Sequence, residues 1–92
     1  MKGAAKLIIN GTVQGVFFRQ FCKDEADKLN LRGYIRNLES GEIEILVEGE
    51  KEKIEELYQK LKKGPPHAQI REIKVEERKW SGDQKEFKIL KF

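Results

Sequence analysis

Residues 11–19 read Gly11-Thr12-Val13-Gln14-Gly15-Val16-Phe17-Phe18-Arg19, a set of residue types that can hold an anion. Two glycines let the backbone turn freely and come close to a ligand. N–H groups left unpaired in a bend and in a first helical turn converge on one spot. The positive end of a helix dipole favours a phosphate-sized charge at that spot. Arg19 can add a bidentate fork that a lysine could not reproduce. The candidate seat is therefore Gln14, Gly15, Val16, Phe17, Phe18 and Arg19, with Gln14 and Gly15 contributing through backbone. Shape alone also fits an ordinary tight connection.

Two other phosphate-handling loops are excluded by spacing. A nucleotide-binding P-loop needs G-x-x-x-x-G-K-[ST], and neither Lys-Ser nor Lys-Thr follows Gly15. A cysteine-nucleophile phosphatase places its thiolate inside the cradle, before the arginine. Cys22 comes three residues after Arg19, a position for a buried small hydrophobe.

The elements that must position these residues follow from periodicity. Leu7, Ile9 and Val13 alternate with Ile8, Asn10 and Thr12, as in a buried first strand. Phe18, Phe21, Cys22, Ala26 and Leu29 have helical spacing, with Asp24 and Lys28 expected to pair on the wet side. Residues 31–37 read as a second strand, and Glu39-Ser40-Gly41 as a turn. From Glu42 to Gly49, Ile43, Ile45 and Val47 share one face, and Glu44, Leu46 and Glu48 the other. A second helix over residues 50–63 carries Ile54, Leu57, Tyr58 and Leu61, and stops at Gly64 before Pro65 and Pro66. Ile70 to Trp80 has the charged alternation of an edge strand, and residues 87–90 form a short final strand.

The order β-α-β-β-α-β with a trailing strand predicts an α+β fold. It is the ferredoxin-like, split β-α-β sandwich, a mostly antiparallel sheet with two helices on one face. A helical crossover makes the first two strands parallel, so their C-terminal ends share one sheet edge. Chain order alone then brings Asn37, at the end of strand two, opposite the Gln14–Arg19 bend. With the third strand between them, the gap is about 10 Å between backbones. For Asn37 taken alone, a turn cap is the competing reading.

Composition narrows the function classes. The chain has 92 residues, enough for one small domain. Its 19 Lys and Arg against 16 Asp and Glu leave a net charge of only +3, mixed along the chain rather than gathered into a nucleic-acid-binding face. The density of Lys and Glu is a pattern seen in heat-adapted proteins. No apolar run reaches membrane-spanning length, and Met1 to Lys6 is no signal peptide. One cysteine and one histidine (His67, expected to be exposed) make neither an internal disulfide nor a metal cluster. A reducing cytoplasm and a monomer are the expectations.

The same residues resemble the acylphosphatase family. Its signature G-x-V-Q-G-V-x-F-R is matched by Gly11, Val13, Gln14, Gly15, Val16, Phe18 and Arg19, with Phe17 at a variable position. A second signature is matched by Gly33, Tyr34, Ile35, Asn37 and Gly41. The Gly64-Pro65-Pro66 segment and the last apolar strand also fit, so the likeness covers nearly all of residues 1–92 as one acylphosphatase-like domain. The resemblance implies hydrolysis of the carboxyl–phosphate bond of an acyl phosphate to carboxylate and inorganic phosphate, with no metal and no cofactor. It implies that Arg19 binds the phosphate with the loop amides, and that Asn37 orients the attacking water.

Three other functions use related domains. RNA-binding modules share the element order but need exposed aromatics on the central strands, where this chain has Ile8, Asn10, Thr12, Glu44, Leu46 and Glu48. Metal-chaperone domains need paired thiols. A catalytically idle acylphosphatase-like binding domain is the remaining alternative. Such domains begin larger carbamoyl-transfer proteins, and the lack of zinc-type cysteines after the last strand favours a free-standing enzyme.

Overall fold

The computed structural model describes residues 1–12, 15–65 and 68–90, with backbone alone at 12, 15 and 16. The elements run β1 (Lys2–Thr12), α1 (Gly15–Lys28), β2 (Arg32–Asn37), β3 (Ile43–Glu50), α2 (Lys51–Lys63), β4 (Gln69–Arg78) and β5 (Phe87–Ile89). The sheet order is β4-β1-β3-β2-β5. β3 is antiparallel to both β1 and β2, so those two run parallel with β3 between them. β4 closes one edge antiparallel to β1, and β5 lies parallel to β2 at the other. Two helices and a five-stranded mixed sheet make the ferredoxin-like α+β fold.

One core holds the layers together. Ala5, Leu7 and Ile9 of β1, Ile35 of β2, and Ile43, Ile45 and Val47 of β3 are buried. From above, Phe18, Cys22, Ala26 and Leu29 come down from α1 and its end, and Leu57 and Leu61 from α2. These are the alternating strand positions and helical stripes that periodicity selects. α1 stops where Asn30 enters the left-handed region at φ 57° and the Leu31 N–H reaches the Ala26 carbonyl at 2.9 Å. α2 stops at Gly64, φ 71°, whose N–H donates to the Lys60 carbonyl at 2.9 Å.

Two details differ from expectation. Asp24 and Lys28 do not pair: Asp24 accepts from the Gln20 amide at 2.8 Å, and Lys28 turns to Glu25 at 3.6 Å. Glu25 also receives Lys60 at 2.9 Å, which ties α2 to α1. On the sheet face away from the core, Glu44 and Glu48 are each only 5% exposed. Register explains the first. Glu44 lies opposite Ile8 and Arg36 and takes hydrogen bonds from Arg36 Nε at 2.8 Å and Tyr34 Oη at 3.0 Å, with Lys6 Nζ at 3.3 Å. Glu48 is covered by residues 80–82, its Oε2 accepting from the Ser81 N–H and hydroxyl, each at 2.7 Å.

Burial pushes the Glu44 carboxyl upward, but hydrogen bonds from Arg36, Tyr34 and Lys6 outweigh it and hold it below the usual carboxylate range. A carboxylate depressed in the folded state adds stability above its unfolded value near 4.5, and that stability is lost as pH falls through the folded value. Thermal melts between pH 6 and pH 3 should therefore show a steeper acid loss for the unsubstituted protein than for Glu44→Gln. Equal slopes would remove Glu44 from the acid response.

Candidate active site

β1 ends at Thr12 and α1 begins at Gly15, so only Val13 and Gln14, which lie outside the described residues, join them. Gly11 comes first in this stretch, at φ 155°. A Cβ there would fall on the Gln69 carbonyl oxygen and stand 2.9 Å from the Arg71 nitrogen. The β1–β4 register also shifts between Asn10 and Gly11. Glycine is thus required here by the close approach of β4. Gly33 plays the same part in β2, where a Cβ at φ 145° would fall on the Leu46 carbonyl oxygen of β3. Gly41, at φ 93° with open space around it, serves the turn instead.

Phe18 fixes how α1 sits. Its side chain is fully buried and tilts against Phe21 at 47°, with the ring centroids 6.3 Å apart. With about 100° per residue, Phe17 and Arg19 emerge on either side of that anchor. Phe17 is 75% exposed, and Arg19 is half-buried in the second turn. The first turn of α1 has no acidic residue, whereas that of α2 has Glu52. No carboxylate from its own first turn thus competes for the positive end of α1.

Asn37 is the last residue of β2. It pairs with Ile43, which pairs with Ile9, so one row crosses β2, β3 and β1. That row spans two strand spacings, about 10 Å, and β1 ends three residues beyond it. The start of α1 and Asn37 therefore share one end of the sheet, as chain order requires. The turn after Asn37 closes without its side chain: Leu38 N–H donates to Glu42 O at 2.8 Å and Gly41 N–H to Leu38 O at 3.0 Å. Ser40 Oγ accepts from the Glu42 N–H at 3.3 Å. Asn37 Oδ1 is buried with no hydrogen-bond partner among the described residues. A buried acceptor left unmatched costs about 1–3 kcal/mol. The turn's own hydrogen bonds among the described residues do not use it.

The remaining candidates fall elsewhere. Cys22 is buried, and desolvation pushes its thiol well up, which leaves no thiolate for attack. His67 lies outside the described residues, as does the side chain of Val16. Among the described residues no three or more His, Cys, Asp or Glu gather where a metal could sit. No described helix is long and apolar enough to cross a membrane. Trp80 stands half-exposed with Lys2 Nζ 5.2 Å from its ring, beside the loop that covers Glu48.

Comparison with known proteins accords with this arrangement. Residues 5–89 match the sequence profile of the family described as Acylphosphatase. A curated acylphosphatase of Dehalococcoides mccartyi is 41% identical over 85 residues, covering 91% of this chain and 93% of that protein. The crystal structure of acylphosphatase from Bacillus subtilis superposes with a TM-score of 0.90 at 34% identity, covering 98% of this chain and 99% of that one. Full-length HypF, solved in a phosphate- and nucleotide-bound form, matches at TM-score 0.88 and 40% identity. That match takes in 99% of this chain but 12% of HypF. Sequence and fold agree: the chain belongs to the acylphosphatase family and is a hydrolase acting on acyl phosphates.

Proposed function

We propose that Arg19 and the backbone N–H groups of Gln14, Gly15, Val16, Phe17 and Phe18 seat the phosphoryl group, and that Asn37 orients the attacking water. The observation that carries this reading is the buried Oδ1 of Asn37, without a hydrogen-bond partner among the described residues, at the sheet end where α1 begins. A carboxamide can accept from water through its oxygen and donate to phosphate through its nitrogen. Being neutral, it does not repel the dianion.

The chemistry asks for little more. An acyl phosphate is a mixed anhydride with a good leaving group. Water attacks phosphorus in line, the bond from phosphorus to the acyl oxygen breaks, and its electron pair leaves on the carboxylate. The water oxygen stays on phosphorus and its protons end on the phosphate product, so carboxylate and inorganic phosphate account for every atom. The protein's tasks are to stabilise charge on the transferring group and to place the water. Neither task needs a metal or a titrating base, and residues 1–92 carry them out as a single monomeric domain in a reducing cytoplasm.

The test is hydrolysis of benzoyl phosphate by purified protein in excess chelator. Turnover should be unchanged by the chelator and vary little between pH 6 and 8, because amides and a guanidinium do not change charge there. Loss of activity in chelator, restored by a divalent ion, would refute metal independence. A steep bell centred near pH 7 would reveal a base this account lacks.

A further inference from the structure

We infer that β4 pairs edge to edge with β4 of a second copy of this chain, antiparallel and centred on Val75. The inference uses no part of the phosphate seat, and the hydrolysis proposed above needs one chain only. The pairing is reversible: dilute chains stay single and concentrated chains pair. The two rims of the sheet differ. β5 has three residues, too few to template another strand, whereas β4 runs for ten, from Gln69 to Arg78. β4 bonds to β1 on one side and has no strand on the other among the described residues. Its register with β1 is unbroken from Glu72 to Arg78 and shifts only beyond that, between Asn10 and Gly11. Residues 74–78 are all exposed, and Val75 is a large hydrophobic left 53% in water.

The charges choose the partner. Side chains alternate along a strand. Glu72, Lys74, Glu76 and Arg78 therefore share the face away from the helices, beside Asn10, Ile8, Lys6 and Ala4 of β1. Ile73, Val75 and Glu77 share the helix side, beside Ile9, Leu7 and Ala5. When an identical strand runs antiparallel with Val75 on its copy, Glu72 meets the partner's Arg78 and Lys74 meets the partner's Glu76. Symmetry repeats both, so every pair across that face is of opposite charge, the favourable cross-strand arrangement. Moving the partner two residues one way sets Lys74 on its copy and Glu72 on Glu76. Moving it the other way sets Glu76 on its copy and Lys74 on Arg78. Only the register centred on Val75 matches all four charges. On the helix side it joins Val75 to its copy and Ile73 to Glu77, along an open groove that α2 leaves beside β4, lined by Leu7, Ile54, Tyr58 and Val75. In the single chain Arg78 leans on Glu76 at 2.9 Å, an exposed pair that costs little to exchange.

Sedimentation velocity on the purified protein tests this. At low salt the unsubstituted protein should move from the mass of one chain toward that of two between about 10 μM and about 1 mM, and salt at about 0.5 M should weaken the association. Lys74→Glu sets like charges against each other across the pair, as does Glu76→Lys, and each alone should weaken the association at least about ten-fold. An equimolar mixture of the two variants should pair again, because two acids of one chain then face two bases of the other. Hydrolysis of benzoyl phosphate should be the same in both variants, since neither residue belongs to the site. A chain that stays single at every concentration would overturn the pairing and leave these charges as guards of the edge. Single variants that associate as well as the unsubstituted chain would overturn the charge match, and a mixture that stays apart would overturn the register.

Discussion

Arg19→Ala should abolish detectable hydrolysis of benzoyl phosphate, lowering kcat/KM by at least about 10³-fold, and should remove phosphate binding measured by calorimetry. Stabilising charge on a transferring phosphoryl group is the largest task in this chemistry, and a single arginine given to it is worth about 10³ to 10⁵ in rate. Arg19 sits half-buried in the second turn of α1, next to the proposed seat. Arg19→Lys should recover little, since a point charge does not reproduce a planar fork. A variant that folds, by circular dichroism, and keeps more than about one tenth of the rate would exclude Arg19 from the seat.

Asn37→Ala should leave phosphate affinity within about three-fold and lower kcat about 10²-fold, the usual loss when one oriented polar group is removed from a transition state. Its effect on stability should have the opposite character. Removing a buried acceptor with no partner among the described residues relieves a desolvation cost. The melting temperature should therefore hold or rise while turnover collapses. A structural asparagine would show the reverse, with a lower melting temperature and unchanged kcat. The two measurements on one variant thus separate the roles.

Much of this fold could be read from residue pattern. The alternation of Ile43, Ile45 and Val47 and the helical stripe of Phe18, Cys22 and Ala26 mark core positions, and all six are buried. Gly64 before Pro65 marks the end of α2. The meeting of Asn37 with the start of α1 followed from strand order, because two parallel strands must end on the same side. What escaped the pattern depended on partners distant in sequence. β1 begins at Lys2, earlier than alternation indicates, because Glu50 and Gly49 of β3 pair with Lys2 and Gly3. Glu44 reads as a wet-face residue until register brings Lys6 and Arg36 to it. The need for glycine at 11 and 33 lies in carbonyls of neighbouring strands, which no local window contains.

The strand interposed between β1 and β2 has a further consequence. The separation between the backbones of Asn37 and Ile9 is metered by the hydrogen-bond repeat of the sheet, which every sequence shares, and not by any side chain that mutation can lengthen or shorten. Evolution working on this scaffold can retune the side chains at that end of the sheet, but it inherits the spacing of the backbones that carry them.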